Sequence, residues 1–229
     1  MIHTTRLLGK GIDARDGPIG SVHDLYLDGQ TWTVRYLVVD TGRWLPGRNV
    51  LIIPEAIVKP WHEEGSVPVN LSQEQVKSSP DVDTAVPLSR LAEDWLHRHY
   101  SWTPYWDLGI IPAAPPPPPP LALTSEEDRR DAEKEAESLS SERLLSAQEL
   151  REYDVQATDG KAGRIEDLLL DDDCSRIVFF TIALKGLFSR KEVLAPPRLV
   201  SKVDWATSTV YMSANRRAIE SSQEHRPAA

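Results

Sequence analysis

The chain has 229 residues, 40% of them hydrophobic and 27% charged, with a formal net charge of −9. A folded core is therefore expected, and most of the surface should repel phosphate backbones, which makes nucleic acid an unlikely partner class. The single cysteine, Cys174, excludes an intrachain disulfide. No run approaches the roughly 18 apolar residues of a membrane span, and no apolar h-region follows Met1–Leu8, so no signal peptide is expected. The expectation is a cytoplasmic protein with no integral membrane segment.

In chain order, Asp16-Gly17 sits between apolar alternations, a hairpin signal because glycine tolerates positive φ. Strands are expected near Val22–Leu27, over the β-branched and aromatic run Thr33–Val39, near Val50–Ile53 and near Val67–Leu71. Ser72-Gln73-Glu74-Gln75 has capping-box spacing for a short helix. Leu88, Leu91, Trp95 and His99 step at helical spacing through Pro87–His99, which predicts an amphipathic helix that Pro104 ends. Residues 112–120 are a polyproline II spacer. From Thr124 to Arg143 there are eight acids against four bases, a solvated helix or a tether opened by the capping box Thr124–Glu127.

The rest repeats the beginning. Shifted by 143 positions, the sequence matches itself without a gap. Asp16-Gly17 meets Asp159-Gly160, Gly20 meets Gly163, Asp24-Leu25 meets Asp167-Leu168, and Leu27-Asp28 meets Leu170-Asp171. Tyr36-Leu37 meets Phe179-Phe180, Val50-Leu51 meets Val193-Leu194, Pro54 meets Pro197, and Val67 meets Val210. Strands are thus expected near Ile165–Leu170, Ile177–Ile182, Glu192–Ala195 and Val210–Ser213, with Ser213 capping a helix through Ala218 and Ile219. Five or six short strands in each copy suggest a small, nearly closed barrel, since closure removes exposed edges.

The stretch Asp16–Asp28, together with Tyr36–Pro54 and Leu71–Pro80, resembles the PRC-barrel family, named for the cytoplasmic domain of the photosynthetic reaction centre H subunit; Asp159–Leu168 carries the same pattern in the second copy. The resemblance implies a mainly β protein of two small PRC-type β-barrels in tandem with short flanking helices. The expected organisation is a first barrel over 1–80, an aromatic-rich helical arm over 81–111, a proline-rich and acidic linker over 112–145, a second barrel over 146–222 and a tail over 223–229. The family specifies fold better than function. Related barrels in the H subunit and in a ribosome-maturation factor imply binding roles.

Candidate partner-binding residues fall in two places. Trp95, Tyr100, Trp102, Tyr105 and Trp106 lie within a dozen positions, either docking on the first barrel or presenting interface anchors. The loop with Arg43, Trp44 and Arg48, and its counterpart with Phe188 and Arg190, join apolar to basic residues; they either cap a barrel end or contact an anionic partner or membrane face. Asp16, Gly17, Gly20, Asp159, Gly160 and Gly163 are read as structural turns. No catalytic, metal or cofactor-binding set is expected: the histidines lack a completing ligand set, and no phosphate loop or nucleophile elbow occurs. Cys174 lies beside Asp171–Asp173, which disfavour a reactive thiolate. The expected function is a non-catalytic scaffold that binds a partner protein of unknown identity, with the barrels pairing within one chain or as a homo-oligomer. A peripheral membrane subunit beside an electron-transfer complex and a ribosome- or RNA-associated factor are the alternatives.

Overall fold

The computed structural model describes residues 1–42, 44–61, 65–80, 88, 90–108, 144–184 and 191–222. The protein is mainly β, with two sheets and a few short helices. The first sheet is built from β2 (Gly11–Ala14), β3 (Gly17–Asp28), β4 (Val34–Asp40), β5 (Asn49–Ile52) and β6 (Val67–Pro68), in the order β5-β4-β3-β2-β6. The second contains β8 (Asp154–Ala157), β9 (Gly160–Leu170), β10 (Ile177–Leu184), β11 (Glu192–Ala195), β12 (Val200–Asp204) and β13 (Thr209–Met212), in the order β11-β10-β9-β8-β13-β12. Both sheets curl. After β11 the chain must reach the opposite edge, β12, between Ala195 and Val200. Five residues span at most about 17 Å, whereas six flat strands would be about 24 Å across.

The registers recur at the 143-residue offset. Gly11 faces Ser21 and Ile12 faces Gly20 in the first sheet; Asp154 faces Arg164 and Val155 faces Gly163 in the second. The bulges recur as well: the slip between Val22 and Asp24 on β3 reappears between Ile165 and Asp167 on β9. Alternation then sets the faces. Leu25, Leu37 and Ile52 align across one face of the first sheet and Leu168, Phe180 and Ala195 across the same face of the second.

The sheets are joined by exchanged segments. Strand β1 (Ile2–His3) and helix α1 (Thr4–Leu7) precede the first sheet but lie on the second, where Ile2 pairs with Leu170 and His3 with Leu169. Strand β7 (Leu144–Ser146) and helix α4 (Ala147–Leu150) do the reverse, Leu145 pairing with Leu27 and Ser146 with Tyr26. Thr33 bridges its own counterpart, Arg176. Around that bridge Val34 N–H donates to Ser175 O at 2.8 Å and Ile177 N–H to Trp32 O at 2.9 Å. Contacts in which i meets j and j meets i define an approximate two-fold axis, here inside one chain. Trp32 packs edge-on against Phe180 at 4.9 Å across it, and one hydrophobic core runs through both halves.

Three further helices decorate the sheets: α2 (Gln73–Lys77), α3 (Arg90–Tyr100) and α5 (Arg216–Glu220). Ser72 caps α2 in the expected capping box with Gln75. Asn215, rather than Ser213, caps α5: its side chain accepts from Ala218 N–H, while Ser213 is tied by backbone and hydroxyl to Leu199 O in the preceding turn. The turn aspartates do related work. Asp16 Oδ1 accepts from the first helical N–H of α2, at Gln73, and Asp159 Oδ1 from that of α5, at Arg216, both at 2.7 Å. Among the described residues no helix is long and apolar enough to cross a membrane.

Candidate interaction site: the clasped aromatic arm

Helix α3 forms because its own ion pairs bridge successive turns: Arg90 to Glu93 at 3.4 Å and Arg98 to Asp94 at 2.7 Å. His97, Arg98 and His99 fall in its last turn, where positive charge and ring N–H donors suit the helix dipole. The expected helical range began at Pro87; residues 81–87 and 89 lie outside the described residues, and the helix runs to Tyr100, one residue beyond the expected end.

The helix is held to the first sheet through one tyrosine. The fully buried hydroxyl of Tyr36, on β4, lies 3.0 Å from Glu93 Oε1 and 2.8 Å from His97 Nε2. A hydroxyl has one hydrogen, so when it donates to Glu93 its oxygen accepts from the imidazole N–H. Tyr105, in the short 3-10 turn Tyr105–Leu108, donates to the same carboxylate at 3.1 Å. Two guanidinium groups close the cluster. Arg35, ion-paired with Asp28, lies 3.7 Å from the Tyr105 ring centre, and Arg90 lies 4.2 Å from that of Trp106.

Burial shapes the electrostatics here. It raises the Glu93 carboxyl above its ordinary range, against the pull of Arg90 and the two tyrosine hydroxyls. It is the main cause that lowers His97 from 6.5 to about 4, helped by the charges of Arg90 and Arg35 and opposed by the backbone of Trp102 and Thr103. It raises the Tyr36 phenol too, with the Glu93 charge acting in the same direction. A tyrosine, a histidine and a glutamate in contact form a proton-sharing chain, but Glu93 and His97 are 4% and 3% exposed and Tyr36 is sealed. The arrangement is a buried latch between helix and sheet.

The structure distributes the sequence-derived candidates unevenly. Tyr100 is buried and stacks on Trp102 at 4.3 Å. Trp102 and Trp106 flank His97 at 5.9 and 5.0 Å, and both remain half-buried, as do Tyr105 and Trp95. The Trp95 indole nitrogen is buried without a hydrogen-bond acceptor among the described residues. The arm therefore docks on the first sheet and still presents aromatic surface. In the loop after β4, Trp44 packs partly buried against the core. Arg48 donates to Lys77 O at 2.8 Å and to Ser79 O, tying the loop to the end of α2. Arg43, Phe188 and Arg190, like the polyproline and acidic stretch, lie outside the described residues. Cys174 is buried in a tight turn at φ 55°.

Two acids carry more than the sequence reading gave them. Asp167 accepts from Thr4 Oγ1 at 2.5 Å, Thr5 Oγ1 at 2.7 Å and Thr5 N–H at 3.2 Å, and sits 2.8 Å from His3 Nδ1, so it grips α1. Its counterpart Asp24 accepts from Ser146 Oγ at 2.5 Å and Gln148 N–H at 3.1 Å, gripping α4. Burial would raise both carboxyls. At Asp167 the hydrogen bonds from Thr4, Thr5 and His3 outweigh it and lower the group; at Asp24 burial prevails.

The family model for the PRC-barrel domain matches residues 142–216, which covers β7, α4 and the second sheet. No curated protein matches the chain.

Proposed function

We propose that the chain is a non-catalytic scaffold made of two PRC-type modules, 1–80 and 146–222, that binds a partner protein through the clasped aromatic arm. The matched domain supports a protein-interaction role for the second half. The shared registers and bulges support reading the first half as its twin. The observation that carries the binding site is the arm's division of labour. Glu93, Leu96, His97 and Tyr100 face the sheet and fix the helix, while Trp102 and Trp106 flank the latch and keep part of their rings at the surface. Rigid aromatic side chains of this kind anchor interfaces at low entropic cost.

The test is affinity capture from the native host with the wild-type chain and with Trp102→Ala/Trp106→Ala, followed by titration of the purified captured protein. A specific protein retained by wild type, with at least tenfold weaker binding to the double variant while its circular dichroism spectrum stays native, is the expected result. Identical captured sets, or no reproducible partner at all, would remove the reading.

A further inference from the structure

We infer that residues 1–7 are a transferable docking segment, and that the slot they fill on the second half accepts the same segment from a second copy of this chain. The strand registers and the grip of one carboxylate carry this exchange, independently of the arm.

The slot occurs twice. At the 143-residue offset Ile2 corresponds to Leu145, His3 to Ser146, Thr4 to Ala147, Thr5 to Gln148 and Leu7 to Leu150. Each segment adds a short strand to the long central strand of the opposite sheet, at equivalent positions: Leu169–Leu170 on β9 and Tyr26–Leu27 on β3. Each then turns into a one-turn helix whose last residue, Leu7 or Leu150, is buried in the shared core. Each helix receives a buried aspartate from the opposite half, which accepts the N–H of its second residue, Thr5 or Gln148, and the hydroxyl of a residue just before that, Thr4 or Ser146. The recognised pattern is apolar, polar, small, Thr or Gln, charged, Leu.

Such a segment is separable from the half that carries it. Residues 1–7 connect to β2 only through Leu8, Gly9 and Lys10. Gly9, at φ +79°, is anchored to the first half by its N–H to Val22 O at 2.7 Å, so a transfer turns the chain just ahead of it, at Leu8. The contacts that hold the segment, three buried side chains at Ile2, Thr4 and Leu7 and the grip of Asp167, lie wholly on the other half or in the shared core. A slot that reads an element of its own chain reads the same element on another copy, and exchange of identical elements is a low-cost route to dimers.

The test mixes two full-length variants. One carries His3→Cys and the other Leu169→Cys, positions that face each other across β1 and β9. The mixture is concentrated, warmed to the foot of the melting transition, cooled and oxidised. A chain carrying both substitutions is the geometric control and should crosslink within itself. A His3→Cys copy mixed with a Ser201→Cys copy reports random collision, since Ser201 is exposed on a strand away from the slot. Transfer predicts a disulfide-linked heterodimer from the Leu169→Cys mixture at several times the yield of the Ser201→Cys mixture, rising further when Asp167→Asn loosens the grip. Equal yields, or no heterodimer while the double variant closes on itself, would overturn the inference. Failure of the double variant to crosslink would overturn it at its root, the β1–β9 pairing.

Discussion

Glycine at positions 20 and 163 is required by a close approach that can be stated in ångströms. A Cβ built on Gly20 would stand 2.1 Å from Asp40 O and 2.9 Å from Thr41 Cα; on Gly163 it would stand 2.1 Å from Ala183 O and 3.2 Å from Ile182 Cγ2. Carbon–oxygen contacts settle near 3.3 Å, so alanine forces β3 from β4, or β9 from β10, by about 1 Å at their tightest pairing. Overpacking of a well-filled site costs about 1–3 kcal/mol and more when backbone must yield. Gly20 also sits at φ +150°, which adds about 1–3 kcal/mol for an L-residue, whereas Gly163 does not carry that strain. Gly163→Ala should therefore cost about 3 kcal/mol and Gly20→Ala about 4–5 kcal/mol. Gly11→Ala is the control: its Cβ would meet Ser66 Cβ at 3.7 Å, an ordinary contact, and should stay within about 0.5 kcal/mol. Urea denaturation followed by tryptophan fluorescence and far-ultraviolet circular dichroism reads all three. Because the halves exchange segments and share a core, each variant should shift one coincident transition rather than split it. A Gly163→Ala variant no less stable than Gly11→Ala, or two separated transitions, would refute the reasoning about both the approach and the coupling.

Other perturbations have equally definite outcomes. Asp167, held below its ordinary value, contributes stability that is present above about pH 4 and is lost as pH falls through its folded pKa; Asp24, held above its ordinary value, contributes in the opposite sense, most at low pH and progressively less as pH rises through its folded pKa. At pH 7 Asp167→Asn should accordingly destabilise more than Asp24→Asn, and denaturation of both across pH 3–8 checks the order. His97 favours the docked arm above pH 6.5 and loses that contribution between 6.5 and about 4, whereas the raised Glu93 favours docking at low pH and loses it as pH rises from 4.5 through its folded pKa. The two oppose each other in the wild type. Glu93→Gln should make the arm acid-labile and His97→Gln should leave it alkali-labile, measured as the rate of proteolytic cleavage within 101–108; matching slopes in the two variants would contradict the latch. Tyr36→Phe removes the hydroxyl shared by both groups and should cost about 2 kcal/mol, with faster cleavage at the same sites.

The repeat was legible because both sequence and register are periodic at one offset, and strand-forming runs bounded by Asp-Gly turns carry local signals. The first copy's β3 proved longer than the expected Val22–Leu27 because its start pairs with β2 and its end with β7, contacts that no window of neighbouring residues reveals. The same reason hid the exchange. The two- and three-residue strands β1 and β7 have no propensity signature, and their pairing partners lie more than a hundred residues away. A signal was nevertheless present: Ile2…Leu7 and Leu145…Leu150 fall in frame at the same offset, ahead of the first expected strand of each copy. The latch was half legible. Helical spacing found α3 and its aromatics, but Glu93 is one polar residue among many in the sequence, and only its position opposite Tyr36 gives it a role.

The departures from the repeat say where the chain does something its twin modules do not. Residues that set the fold agree across the offset: Gly20 with Gly163, Asp24 with Asp167, Leu25 with Leu168. On the face of the first sheet that receives α3 they diverge. Tyr36 becomes Phe179, Arg35 becomes Val178 and Val38 becomes Thr181. The second half thus lacks the hydroxyl that joins Glu93 to His97 and the guanidinium that lies over Tyr105. An α3-like helix placed there would bury its carboxylate and imidazole against a phenyl ring, without the hydroxyl that bridges them, at a cost of about 2 kcal/mol. The latch is therefore specific to the first sheet, although the two backbones share a register at Tyr36 and Phe179 and at Val38 and Thr181. One half alone carries the polar receptor for the aromatic arm, so substitution of Phe179 by Tyr should leave arm docking unchanged while Tyr36→Phe weakens it.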